Sequence, residues 1–422
     1  MIVWVAYSGG VDSHVLLHAL VSLRQHYKFT LRAIHIHHGL NAKASDWQRH
    51  CELVCQTLDV ELSVHALNMS PSQENLEACA RELRYHYFSS LLQSGDYLLT
   101  GHHQDDQAET VVLQLLRGAG PKGMSAMPAS SVLGQGMLLR PFLNISRAEL
   151  VEYAKQHQLI WIDDDSNQNT RFSRNFIRHE IMPLLKQRWP SAVETIARSA
   201  KHCAESEKIV DEYTQPLFNQ CVLANNALSV TQLKNLTPIQ QKHVVRHWLS
   251  YLNYSLPNED KLANLLHVFL TAHQDKNPMI TWGAVEVRRY QDALIAMPVQ
   301  ATHDASQVFS WNLQSDLRIE SLGIILQAVS CVGSGIKFHS TQNCEIRFRQ
   351  GDERVYLAYR KGGRSLKKCF QEWHVPVWER DRVPLLYIDN QLAVIIGYGV
   401  CEGFLASGNE NGLIISAIKE QM

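Results

Sequence analysis

No two cysteines in this chain are spaced C-x-x-C. The nine are scattered, and the nearest pair, Cys51 and Cys55, lies four apart in a helix-like stretch. That excludes a zinc ribbon and a dithiol redox motif, and an odd, dispersed set fits reduced thiols rather than a disulfide framework. Neither sign of charge is in excess: the formal net charge is -1, so any surface for a polyanion must be a local patch. No long uninterrupted apolar run suggests a membrane span, and the apolar start is short, without the basic flank of a signal peptide. The expected compartment is the cytoplasm. H-E-x-x-H, internal repeats and low-complexity tracts are also missing, which removes the common zinc-hydrolase and solenoid readings.

What is present is an ordinary globular composition, 45% hydrophobic and 19% charged, in 422 residues, enough for two or three domains. Strand-like runs at 2–7, 31–36, 61–66 and 97–100 alternate with helical stretches near 13–24, 44–58 and 74–92. This βαβ rhythm predicts an α/β domain with a doubly wound parallel sheet. A strand at 137–140 and a helix opening at Ser146 with the capping box Ser146–Glu149 follow, then a polar loop at 163–170. A helix carrying Arg174, Asn175 and Arg178 comes next, with Pro183 expected in or after its last turn. From about 205 the pattern is mostly helical, around 240–252 and 260–271, with a short β-like piece at 284–290. Residues 300–306 read as a linker, and short strands dominate from 308 onward. The expected division is a catalytic domain at 1–205, a helical middle domain at 206–300 and a small α+β domain at 307–422.

Ser8-Gly9-Gly10-Val11-Asp12-Ser13 follows the first strand and opens an apolar-periodic helix. Such a turn aims backbone N–H groups and a helix N-terminus at one point, an anion site. Gly9 and Gly10 permit close approach, and Ser8 and Ser13 add hydroxyl donors. The lysine of G-x-x-x-x-G-K-[ST] is absent, so this is not the loop that grips a γ-phosphate. Small donors suit a pyrophosphate that is held and released. In a doubly wound sheet ligands lie beyond the carboxyl ends of the strands, so the polar clusters at 8–13, 37–41 and 101–106 should meet in one crevice.

His102, His103, Asp105, Asp106, Glu109 and Thr110 follow the strand at 97–100. Asp105 and Glu109 are helical neighbours, and these carboxylates could hold Mg²⁺ with nucleotide oxygens, receive a cationic amine, or cap their own helix. His35 and His37 share a strand face while His38 points away, leaving nucleotide contact, strand-end roles or a zinc site. Glu77 and Arg81 are an i,i+4 pair on a helix that also carries Arg84, and Arg140 ends a strand where phosphate and structural readings are even. Towards the C-terminus Arg360, Lys361, Arg364, Lys367 and Lys368 surround Gly362-Gly363, with Trp373 following. Cations interleaved with aromatics suit RNA, and the alternative is a solvated hairpin.

Taken together, these motifs resemble the tRNA(Ile)-lysidine synthetase family of the PP-loop (N-type) ATP pyrophosphatases. The resemblance rests on residues 8–13, 35–40, Glu77 with Ala80-Arg81 and Arg84-Tyr85, 102–110, Arg117-Gly118, Arg140-Pro141, Asp165-Ser166-Asn167, Arg174-Asn175 and the C-terminal cationic stretch. It implies that ATP adenylates C2 of the wobble cytidine of a tRNA(Ile) with anticodon CAU, and that the lysine ε-amine then displaces AMP. Codon specificity would pass from AUG to AUA. It further implies ATP at Ser8 to Ser13, His38, His102 and Arg140; Mg²⁺ at Asp12 and Asp106; and catalytic roles for Asp12, Asp105, Asp106, Glu109, Arg81 and Arg84. Arg174, Arg178, Arg360, Lys361, Arg364, Lys367, Lys368 and Trp373 are assigned to tRNA, with homodimerisation left open. The rivals are a 2-thiocytidine-type PP-loop enzyme, which usually uses C-x-x-C cysteines, and a non-catalytic RNA-binding protein with a degenerate nucleotide fold. Glutamine-dependent relatives need an amidotransferase domain or an N-terminal cysteine, and neither is present.

Overall fold

The computed structural model describes residues 1–37, 44–67, 76–163, 168–273, 276–338, 342–351, 353–360 and 362–419. Two compact units divide the chain, Met1–Glu212 and Tyr213–Met422. In the first, the elements run β1 (Ile2–Ala6), α1 (Val11–Leu23), β2 (Thr30–His37), α2 (Ala44–Thr57), β3 (Glu61–Ala66), α3 (Leu76–Leu91), β4 (Tyr97–Leu99) and α4 (Gln104–Leu116). They continue with α5 (Pro121–Met124), β5 (Ser130–Leu133), β6 (Gly136–Leu139), α6 (Arg147–Gln156), α7 (Ser173–Phe176), α8 (Met182–Arg188) and the start of α9 (Ala192–Cys221), whose last residues belong to the second unit.

The sheet order is β3-β2-β1-β4-β6-β5, parallel except for β5 at the edge. Alternation along β1 explains the two-sided core. Val3 and Val5 pack with Leu16, Leu17 and Leu20 of α1 and with Cys51 and Cys55 of α2. Trp4 faces the opposite layer with Ile34, Leu98, Phe88 and Leu92. Strand order reverses between β1 and β4, so the loops after these two strands face one crevice. The loops touch: a Cβ on Gly101 would stand 2.8 Å from the backbone carbonyl of Asp12.

Pro183 departs from the expectation. It sits in the first turn of α8 rather than near the end of a helix, and a π-helical stretch, Ile177–Ile181, joins α7 to α8 directly before it. Proline has no N–H and crowds the carbonyl four residues back, and the wider π turn absorbs both.

In the second unit, helices Pro238–Tyr251 and Glu259–Thr271 bury Trp248, Leu265 and Phe269. They pack on a four-stranded antiparallel sheet, Leu228–Ser229, Ala293–Pro298, Val285–Tyr290 and Met279–Trp282. The middle region is thus helical as read, and the single β-like piece is the centre of a meander. The turns at Gly283 (φ 53°) and Gln291 (φ 55°) were too short to register as strand breaks in the sequence. Residues 300–305 run without regular structure but are tied down. Arg382 donates to the Ala301 carbonyl at 2.9 Å, and Gln350 to the Ala305 carbonyl at 2.6 Å. The C-terminal part combines a five-stranded and a three-stranded sheet with helix Leu366–Glu372. No helix among the described residues is long and apolar enough to cross a membrane.

Candidate active site

Gly9 has φ 85°, a left-handed conformation, and a Cβ there would lie 2.9 Å from the Ile162 side chain. Ile162 N–H in turn donates to the Gly9 carbonyl at 3.0 Å, so residues around 162 brace the phosphate loop. Ser13 Oγ accepts from Ser8 N–H (3.2 Å) and donates to the Gly10 carbonyl (3.0 Å), fixing the turn. Helix α1 starts at Val11 with no side-chain cap on Gly10. Its first N–H groups therefore stay open to an anion, and the helix dipole adds to them.

Asp12 lies beside these donors. One of its oxygens, Oδ1, is buried without a hydrogen-bond partner. The other faces His103 Nε2 at 3.7 Å. Burial raises the Asp12 carboxyl above its ordinary range; His103 opposes this and Asp106 adds to it. An orphaned carboxylate oxygen next to open N–H groups fits a cation bound with phosphate.

His103 caps α4. Its ring accepts from Asp106 N–H at 3.4 Å, and Asp106 Oδ2 accepts from His103 N–H at 3.0 Å. The accepting nitrogen is Nδ1, and Nε2 lies 3.4 Å from Asp106 Oδ2 and 3.7 Å from Asp12 Oδ2. Asp105 instead accepts Arg147 N–H at the start of α6 (3.0 Å) and the Lys186 ammonium (2.8 Å). Burial acts to raise both carboxyls. Lys186 and Arg147 outweigh it at Asp105, and His103, Arg174, His102 and Arg178 outweigh it at Asp106, so both are lowered.

Arg174 and Arg178, expected on tRNA, reach the acids of α4. Arg178 forks onto Glu109 (2.7 and 2.8 Å) and touches Asp106 at 2.9 Å, while Arg174 bonds Asp106 at 2.8 Å and Glu109 at 3.2 Å. Glu109 is almost fully buried, whereas both arginine side chains keep about a quarter of their surface. Asp106, expected on the metal, has both oxygens occupied. In this geometry the two acids hold both arginines through charge-assisted hydrogen bonds.

Three further expected residues converge. His102, bonded through Nδ1 to Thr100 Oγ1 at 2.8 Å, is driven down to about 3 by burial, with Asp106 opposing and Arg174, Arg140 and Arg81 adding. All three arginines are thus near enough to His102 to act on its charge. Arg81 also stacks over Tyr85 at 5.0 Å. Arg84 is half-buried one turn further along α3. Buried Arg140 donates to the Pro128 carbonyl at 2.8 Å. His35 is engaged with the Tyr7 carbonyl at 3.0 Å, and no cluster of three metal-ligating side chains occurs among the described residues. His38, Asp165, Ser166, Asn167 and Lys361 lie outside the described residues, as does the Glu77 side chain. His103 as cap, Arg147, Lys186 and the Ile162 brace were not anticipated. Only the capping-box spacing His103 to Asp106 offered a signal, and histidine is an uncommon cap.

In the second unit, Arg360 and Arg364 both pair with Glu372, and Lys367 and Lys368 are exposed on helix Leu366–Glu372. Trp373 stacks on Tyr398, ring centroids 5.1 Å apart and 19° from parallel. Arg380 is buried and donates to the Val375 carbonyl, a structural role.

Comparison with known proteins agrees with this layout. Residues 2–185 match the PP-loop domain, 228–295 the TilS substrate binding domain, and 344–417 the TilS substrate C-terminal domain. The chain is 42% identical over 411 residues to tRNA(Ile)-lysidine synthase of Coxiella burnetii, covering 97% of this chain and 91% of that protein. It is 39% identical over 403 residues to the enzyme of that name from Legionella pneumophila (strain Lens), covering 96% and 92%. Against that of Pectobacterium atrosepticum it is 40% identical over 397 residues, covering 93% and 89%. At this identity and coverage, over all three matched domains, the chain belongs to the tRNA(Ile)-lysidine synthase family of PP-loop proteins.

Proposed function

We propose that this protein joins the ε-amine of lysine to C2 of the wobble cytidine of a CAU-anticodon tRNA(Ile), consuming ATP and releasing pyrophosphate and AMP. The observation that carries the reading is the uncapped start of α1 beside the partnerless Asp12 oxygen, next to the loop after β4 that bears His102 and His103. In the first step the cytidine O2 attacks the α-phosphorus and pyrophosphate leaves into the donors of residues 8–13. Asp12 is the residue here suited to Mg²⁺, which when bound screens the phosphate charge. Arg81, Arg140 and Arg174 stabilise the negative charge that builds at phosphorus. In the second step the lysine nitrogen attacks C2, AMP departs with the C2–O bond, and the amine loses its protons to a nearby base. An incoming ammonium at Asp105 would take the place of Lys186, whose ammonium that carboxylate now accepts. Asp106 and Glu109 hold Arg174 and Arg178 against phosphate.

The assignment divides the labour as 1–205 for catalysis and 206–300 and 307–422 for tRNA, with Arg360, Lys361, Arg364, Lys367, Lys368 and Trp373 on the RNA. A cytoplasmic site of action follows from the substrate. The test is incubation with labelled lysine, ATP and CAU-anticodon transcripts, followed by nucleoside mass analysis. The expected product is a cytidine heavier by lysine less water, and its absence while ATP and tRNA bind overturns the reading.

A further inference from the structure

A second feature lies on the same carboxyl edge of the sheet. The strand order places the phosphate loop after β1, the acid helix after β4, and then residues 140–144 after β6 with 126–129 leading into β5. Each step is about 4.8 Å. Beside the last two segments is a cavity of about 680 Å³, whose walls include Gln104 and Gln107 of α4, residues 125–129, and one face of α9.

The wall at 126–129 is held by polar side chains, of which Gln107 has no part in the proposed reaction. Gln107 Nε2 donates to the Met127 carbonyl and its Oε1 accepts Met127 N–H, both at 2.8 Å. Arg140 holds the next carbonyl, and its own N–H reaches that of Ala129 at 2.8 Å. Lys122, Arg198, Lys201 and Lys208 line the cavity, and none of them makes an ion pair among the described residues. From Arg198 to Lys208 the helix rises about 15 Å. Glu194, Glu207 and Asp211 also line it, acceptors suited to the amino groups of adenine or cytosine.

We infer that this cavity seats the single-stranded nucleotides flanking the modified base, with the cations on phosphates and the amides and acids on base edges. The inference rests on the proposed function. The strand that delivers a base to the phosphate loop must continue along the sheet edge, and the side towards β6 and β5 supplies cations without an ion pair among the described residues and a preformed wall. Free amino acid is the other ligand with chemistry for both charges, and the experiment separates the two.

The test uses the full-length protein with the double variant Arg198→Ala/Lys201→Ala, both exposed positions, and separately Lys122→Ala. A fluorescent CAU anticodon stem-loop RNA is titrated by anisotropy across salt concentrations, and KM values for tRNA, ATP and lysine are measured. The inference expects stem-loop binding at least about tenfold weaker in the double variant. It also expects a salt slope shallower by about 1.4, two single-strand phosphate contacts, with ATP and lysine KM within twofold of wild type. Unchanged RNA binding overturns it, as does a rise in lysine KM alone, which marks an amino-acid pocket. A wild-type protein that makes no lysidine sinks the proposed function, whereas the anisotropy still decides the cavity.

Discussion

Gly101 shows how tightly the two functional loops are built together. A methyl group at this position would press on the Asp12 carbonyl at 2.8 Å, and that contact is backbone, which cannot swing aside. Gly101→Ala is expected to cost about 1–3 kcal/mol, as overpacking does, and to raise ATP KM more than lysine KM. Steady-state kinetics beside a denaturation curve check both. The pair Arg178 and Glu109 invites a sharper test. Arg178→Ala leaves buried Glu109 with Arg174 as its remaining cation and is expected to destabilise by about 1–3 kcal/mol. Adding Glu109→Gln should restore much of that stability and none of the activity, read from a double-mutant cycle in urea with lysidine formation. At this scale residues 8–13 were legible because their signal is local. The engagement of Asp106 and Glu109 by Arg174 and Arg178 was not, since the partners lie 65 to 72 residues apart and each has an ordinary solvated alternative in sequence.

Among the elements, β1 illustrates how a short strand is held in register next to a ligand loop. Its first amide, Ile2 N–H, donates to Asp96 Oδ1 at 3.1 Å, while Asp96 Oδ2 accepts Gln93 N–H at 3.2 Å. Asp96→Ala leaves these donors without a partner and is expected to cost about 1–3 kcal/mol, seen as a lower urea midpoint with an unchanged slope. Strand and helix positions were readable from period-2 and period-3.6 patterns, as with β3, found at 61–66 where it was expected. The helix around Pro183 was not, because a proline signals an end unless the preceding turn widens, and that widening has no sequence mark. The four-stranded sheet of the middle region was hidden likewise, its strands being only two to six residues long.

For the molecule as a whole, the net charge of -1 conceals opposed local fields, and two histidines tie stability to pH. Burial, then His50, holds His14 down at about 4, and His102 lies at about 3. Both ordinarily titrate near 6.5, so between 6.5 and these values the unfolded chain binds more protons than the folded one. Stability is therefore complete above about pH 6.5 and declines as pH falls towards 4, by at most about 1.4 kcal/mol per pH unit for His14. Chemical denaturation midpoints from pH 7.5 to 4.5 check this, and His14→Gln should flatten the decline.

By itself, the sequence determined the parallel sheet, the phosphate loop and the family, because each is written in contiguous residues whose spacing follows backbone periodicity. Tertiary structure alone decided what the charged residues do. Asp106 became a socket for arginine, Asp105 a partner of Lys186, and Gln107 a clamp on a cavity wall. The reason is physical: a buried charge or amide takes its role from whichever group the fold brings within about 3 Å, and chain distance does not encode that proximity.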